Sequence, residues 1–157
     1  MSMMTPQELR ILKTSKNRLL GLDVGTKTIG LALSDISWKV ATARETIERK
    51  KFKKDAETLF QLIDTNDVVA CVIGFPINMD GSEGPRCQSI RQFAQNLLAI
   101  RDFPIVLWDE RMSTMAVTRM MIEADLSRKR RDELVDKLAA SYILQGALDF
   151  LGVLIKR

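Results

Sequence analysis

Residues 19–35, LLGLDVGTKTIGLALSD, decide how the fold is read. Apolar side chains alternate in both halves, Leu20, Leu22 and Val24 in the first and Ile29, Leu31 and Leu33 in the second. Gly25-Thr26-Lys27-Thr28 supplies a turn between them. A period of two on either side of a glycine turn predicts two half-buried antiparallel strands. Asp23 sits inside the first of them. A carboxylate in an apolar strand gives up its hydration, so it is expected to be paired, hydrogen-bonded or bound to a metal. The positions sharing its face, Gly21, Gly30, Ala32 and Ser34, are small and leave room for another backbone or a ligand to come close. A plainer role stands beside this one, in which Asp23 caps its own turn through Thr26 or Thr28.

On either side of the hairpin the pattern continues. Thr5-Pro6-Gln7-Glu8 has the form of a capping box with proline at the first helical position, so a short helix is expected before the hairpin. A third strand is expected from Trp38 to Ile47. Phe52, Ala56, Leu59, Phe60 and Ile63 recur at helical spacing, with the basic cluster Arg49, Lys50, Lys51, Lys53 and Lys54 around the first turn. Val68 to Ile73 is the continuous apolar run of a strand covered on both faces. The loop GFPINMDGSEGP follows, and Pro85 opens a helix whose stripe is Cys87, Ile90, Ala94 and Leu97. Pro104 to Trp108 is the next buried strand and runs directly into Asp109-Glu110-Arg111. Ser113 or Thr114 then caps a helix carrying Ala116, Val117, Met120, Met121 and Ala124. Arg128-Lys129-Arg130-Arg131 reads as a solvated, mobile connection, and Asp132 as the cap of a last helix with Asp136, Ala139, Ala140, Ile143, Ala147 and Phe150 on its buried side. The order βββ, α, β, α, β, α, α predicts an α/β sheet with an antiparallel hairpin start.

The 157 residues, 46% of them hydrophobic, suffice for one domain with a proper core. We expect residues 1–18 to be an N-terminal extension and 19–157 a single domain. No apolar run reaches the roughly 20 residues of a membrane span, and the first residues lack the apolar block of a secretory signal, so the expected location is cytoplasmic with no membrane partner. Cys71 and Cys87 read as reduced core residues. The chain contains no histidine, which excludes Ser-His-Asp triads, Cys-His pairs and His-ligated zinc. Its chemistry must use carboxylates, lysine or backbone. Residues 1–54 hold 12 of the 24 Lys and Arg but 5 of the 20 acids, so a charge of +7 precedes one of −3. That asymmetry points to a polyanionic partner, though a clustered basic surface can also be merely a solvated face.

In open α/β sheets ligands bind beyond the carboxyl ends of parallel strands, where Asp23, Gly74 and Glu110 are all expected. If the last helix packs over that crevice, Asp136 faces Asp23 and Glu110 and three carboxylates converge. Like charges raise one another's pKa, and hard divalent cations with oxygen ligands are the usual compensation. Two ions about 3.5–4 Å apart would clamp the attacking and leaving oxygens of a phosphodiester hydrolysis. Taken singly, Glu110 could be a surface partner of Arg111, and Asp136 a first-turn acid favoured by the helix dipole.

The motifs GLDVGTKTIGLALSD, GFPINMDGSEGPR, WDERMST and RDELVDKLAASYILQGALD, in this order over Leu19 to Leu151, resemble the YqgF (RuvX) family of ribonuclease H-like proteins. The resemblance implies a ribonuclease H-like mixed five-stranded sheet, its first three strands antiparallel and the rest parallel, with helices on both faces. It implies a metal-dependent nuclease, a hydrolase, with the acidic triad Asp23, Glu110 and Asp136 as catalytic residues and ligands of Mg2+ or Mn2+, two ions. Lys27, Gly74, Pro76, Asn78, Gly81, Arg111, Arg128, Lys129, Arg130 and Arg131 are expected to meet substrate. The expected activity is processing of the 5′ end of the 16S ribosomal RNA precursor, by a monomer or weak homodimer. The alternatives are resolution of Holliday junctions, with branched DNA as partner, and a non-catalytic nucleic-acid-binding module. Actin-like ATPases and sugar kinases share a D-x-G-T phosphate loop, but their architecture needs two such domains and this chain has room for one.

Overall fold

The computed structural model describes residues 3–112 and 128–155, with side chains described for 3–112 and 138–154. The described strands are β1 (Met3–Met4), β2 (Arg18–Val24), β3 (Thr28–Ser34), β4 (Ala41–Glu48), β5 (Val68–Phe75) and β6 (Ile105–Asp109). The α-helices are α1 (Phe52–Thr65), α2 (Pro85–Ile100) and α3 (Arg128–Ile155). The strands form one mixed sheet in the order β1-β6-β5-β2-β3-β4. β2, β3 and β4 are antiparallel neighbours, whereas β2-β5, β5-β6 and β6-β1 are parallel.

The opening hairpin folds as its alternation requires. Asp23 pairs with Gly30 and Gly21 with Ala32, and Gly25 N donates to Thr28 O at 2.9 Å to close the turn. Leu20, Leu22, Val24, Ile29, Leu31 and Leu33 point to the face covered by α1 and α2. Leu19 and Ala32 point to the face covered by α3. The space predicted on the Asp23 side is filled by α3 itself. A Cβ on Gly21 would stand 2.7 Å from Leu144 Cβ and 3.0 Å from Ala140 O, so only a glycine lets helix and strand come this near. Gln145 ties α3 to the sheet edge: its Oε1 accepts from Ala41 N and its Nε2 donates to Lys39 O, both at 2.9 Å.

Two expectations need correction. The sheet has six strands rather than five, because Met3–Met4 pairs alongside Ile105–Val106. The capping box does form, with Glu8 N donating to Thr5 Oγ1 and Thr5 N to Glu8 Oε1, and it opens a 3-10 helix at Pro6–Leu12 whose Leu9 is fully buried in the α3-side core. Residues 3–12 are therefore packed on the sheet. The other correction concerns Arg128 to Arg131, expected as a connection ahead of a last helix capped by Asp132. Their backbone is helical, and Asp132 is an interior position of α3. Arg, Lys, Glu and Leu are strong helix formers, and a basic run stays solvated on a helix as well as in a loop. The helix expected after Ser113 lies outside the described residues.

The α1 and α2 stripes match expectation: Ala56, Leu59 and Ile63, and Cys87, Ile90, Ala94 and Leu97, are buried. On α3, Ala139, Ala140, Ile143 and Ala147 are buried together with Leu144, Leu148 and Leu151, and Phe150 is half-buried against Trp108. Both cysteines are free and buried, and burial pushes the Cys71 thiol up to about 12. Among the described residues no helix is long and apolar enough to cross a membrane.

Candidate active site

The crevice forms where β6, β5 and β2 end side by side. Leu22 pairs with Ile73 and Phe75 with Asp109, so Asp23 and Glu110 flank the end of β5 and Gly74 stands between them. Gly74 makes that arrangement possible. A Cβ there would fall 2.4 Å from Ile143 Cδ1 and 3.6 Å from the Glu110 carboxyl carbon. Its role is thus a close approach of α3 and Glu110 to the strand backbone.

Asp23 has a side chain 12% exposed, and its Oδ1 accepts from Arg86 Nη2 at 3.1 Å. Arg86 enters from the first turn of α2, placed there by Pro85, whose ring suits the opening of a helix. This partner was not among the expected site residues. Its signal was present in the GPR that follows the glycine loop.

Arg111 pairs with the neighbouring Asp109. Its guanidinium makes a forked contact with Asp109, with Nε 3.1 Å from Oδ1 and Nη2 2.8 Å from Oδ2, and its backbone N donates to the same carboxylate at 2.9 Å. This hydrogen-bonded cation holds the Asp109 carboxyl below the ordinary carboxylate range. It also aims Arg111 across the crevice, so that a Cβ on Gly81 would lie 3.7 Å from Nη1.

The loop between β5 and α2 is braced from within. Asn78 N donates to Ser82 O at 2.9 Å, Gly81 N to Asn78 O at 2.8 Å, and Asn78 Nδ2 to Ser82 Oγ at 3.0 Å. Gly81 has φ of 89°, the left-handed region that favours glycine. Asp80 accepts from the Ser82 hydroxyl at 2.6 Å and backbone N at 2.9 Å, which lowers its pKa. Pro76, Asn78, Arg86, Glu110 and Arg111 border a cleft of about 350 Å³.

The structure therefore brings Asp23, Gly74, Pro76, Asn78, Gly81, Glu110 and Arg111 to one end of the sheet. Lys27 is exposed in the hairpin turn beyond Asp23. Asp136 occupies a helical position one turn before Ala140, on the α3 face that meets Gly21. Its side chain, and those of Arg128 to Arg131, lie outside the described residues. Among the described residues no group of three acidic or sulfur ligands gathers at one point. The two acids that do flank Gly74 offer hard oxygen donors without nitrogen or sulfur, the donor type that suits Mg2+ or Mn2+.

A mixed sheet with acids at the ends of its central strands is the architecture of ribonuclease H-like proteins. RuvC of Thermus thermophilus, solved in complex with Holliday junction substrate, superposes with a TM-score of 0.53 at 11% identity, covering 86% of this chain and 96% of that one. The likeness establishes the fold. The RuvX family, described as Holliday junction resolvase, matches residues 17–150, and the chain belongs to that family. A relative from Paramagnetospirillum magneticum is 58% identical over 149 residues, 95% of this chain and 96% of the relative. One from Rhizobium meliloti is 49% identical over 156 residues, 99% and 94% of the two chains. Both carry the name "Putative pre-16S rRNA nuclease".

Proposed function

We propose that the strand-end crevice hydrolyses phosphodiester bonds in nucleic acid, and that its substrate is the precursor of 16S ribosomal RNA, cut at the 5′ end. The observation that carries this is the pair of carboxylates, Asp23 and Glu110, set on either side of Gly74 with Arg86 and Arg111 beside them. Acids hold the reacting end of such a site and cations hold its phosphates. The names of the two relatives support the RNA assignment.

Asp23, Glu110 and Asp136 would hold divalent Mg2+ or Mn2+, which supplies Lewis-acid stabilisation of charge and a water of lowered pKa. Arg86 gives Asp23 a cationic partner. Arg111, steadied by Asp109, faces the Gly81 side of the cleft, where a phosphate oxygen could take up a guanidinium N–H. The protein works as a monomer or weak dimer, since one RNA end needs one site.

The test is cleavage of precursor rRNA and of four-way DNA junctions with Mg2+ or Mn2+, with Asp23→Asn as control. Metal-dependent cutting of the RNA, abolished in the variant, is expected. Symmetric nicking of junctions by a tight dimer, with precursor RNA left uncut, would reassign the protein to junction resolution. Nucleic-acid binding with no cleavage of either would make it a non-catalytic module.

A further inference from the structure

A second cleft, of about 590 Å³, opens on the other side of Arg86 from the one that contains Glu110. Its walls come from the hairpin turn at Gly25 and Thr26, from Arg49 and Lys50 ahead of α1, and from Arg86 and Ser89 on α2. Among the described residues, three cations and two hydroxyls border it, one of the cations, Arg86, being paired with Asp23. The groove between α1 and α2, by contrast, balances Lys53 and Arg101 with Glu57 and Asp64. A net excess of positive charge around a concave surface focuses the field and favours an anion.

The Arg49 side chain and the Lys50 backbone are held in place. Arg49 Nη1 donates to Gly25 O at 2.6 Å, its backbone N donates to Lys27 O at 2.8 Å, and its guanidinium lies 5.4 Å from the centre of the Phe93 ring. Lys50 N donates to both oxygens of the buried Asp55 at 3.3 Å. A fork fixed on one edge against the turn keeps its remaining N–H groups for a ligand, at less entropy cost than a free side chain. Arg86 borders both clefts and touches Asp23, so an anion here sits next to the carboxylates without competing for them.

We propose that this cleft is a phosphate subsite: it binds a backbone phosphate of the substrate strand flanking the linkage cut at Asp23 and Glu110, and so sets the strand's register. The proposal rests on the nuclease reading for the word substrate, but the anion site itself can be tested without cleavage.

The test is binding of a fluorescent single-stranded RNA, in EDTA and across a salt series, by wild type, Arg49→Gln/Lys50→Gln and Lys53→Gln/Lys54→Gln. The two double variants lose equal charge within five residues of one another, and only the first takes cations from the cleft, leaving Arg86 there. The first should bind tenfold or more weakly and lower the salt slope by about 0.7, the increment for one phosphate on a single strand. The second should lose markedly less. Equal losses would reduce the region to diffuse electrostatics and overturn the subsite.

Arg49 also braces the turn, so Lys50→Gln alone is measured with RNAs carrying one methylphosphonate at successive linkages. Wild type should lose affinity at one linkage, and Lys50→Gln should lose nothing further there. A profile without such a linkage would also overturn the proposal. Absence of cleavage by wild type, with this binding pattern intact, would remove the nuclease reading and leave the phosphate subsite standing.

Discussion

The two faces of the sheet are packed at different distances. Toward α1 and α2 the strands present Leu20, Leu22, Ile29, Leu31, Ile73 and Phe75, met by Leu59, Ile63, Ile90, Phe93 and Leu97. Toward α3 they present Gly21 and Gly74, met by Ala140, Ile143 and Leu144. The α3 face carries bulk as well, in Leu19, Val72, Val106 and Trp108, but there the two glycines let the helix come close to the strand backbone. Both acids that flank Gly74 belong to the close-packed side, where a helix can be brought against the strand ends. The proposed site thus lies on the α3 side, and substitutions at it and on the opposite face should separate chemistry from stability.

The largest loss of stability is expected on the bulky face. Leu59→Ala or Ile90→Ala removes a side chain that is 1% exposed and should cost about 2–5 kcal/mol in denaturant unfolding. Cleavage per folded molecule should be unchanged. A variant that loses activity while remaining fully folded would break the division between faces.

Substitution of the acids should give the reverse. Asp23→Asn and Glu110→Gln each keep the shape of the side chain and should lower metal-dependent cleavage about a hundredfold or more, ~2.7 kcal/mol in the barrier. Their melting temperatures should stay near wild type, and Asp136→Asn should behave alike. Full activity in any one would remove that residue from the site.

Gly21→Ala probes the closeness itself. Its new methyl meets the Ala140 carbonyl and Leu144 Cβ, neither of which can swing aside, so a loss of about 1–3 kcal/mol is expected in thermal unfolding. Gly74→Ala meets the tip of Ile143 first, which can move, and should cost less stability. It also crowds Glu110, so its cleavage rate should fall more than its stability does. Equal stability in the two glycine variants would show that α3 is free to shift as a body.

How much of this was readable depended on how far apart in sequence the partners lie. The hairpin, the turn of Gly25 and the small face beside Asp23 are local patterns, and all three fold as expected. β5 and β6 were legible as short apolar runs. Met3–Met4 carries no pattern, and its pairing exists only because β6 leaves an edge open. Arg86 is 63 positions from Asp23, and no spacing rule connects a strand acid to the first turn of a later helix. In α3 the stripe at Ala139, Ala140 and Ile143 was visible, but Leu144, Leu148 and Leu151 are also buried, because a helix this close to a sheet is covered more than halfway round. Its described beginning at Arg128 was missed because four cations in a row suggest solvent, while helix propensity says nothing of solvent.

The smallest effect is expected at the other end of the hairpin, where Asp35 offers a contrast to Asp23. Burial alone would raise its pKa. The Ser37 hydroxyl and the backbone N–H groups of Val40 and Lys39, the last two at 3.0 and 2.8 Å, outweigh that and bring it down to about 2. All its partners lie within five residues, so it braces the turn that carries Trp38, buried with φ of 58°, and takes no part in the crevice. A carboxylate with a depressed folded pKa adds stability above its unfolded value of 3.8, and that stability is lost as pH falls toward 2. Asp35→Asn should therefore melt a few degrees below wild type at pH 7. The gap should close between about pH 5 and pH 2, with cleavage at neutral pH unaffected. Parallel melting curves for the two proteins down that range would show that Asp35 holds its turn by shape alone.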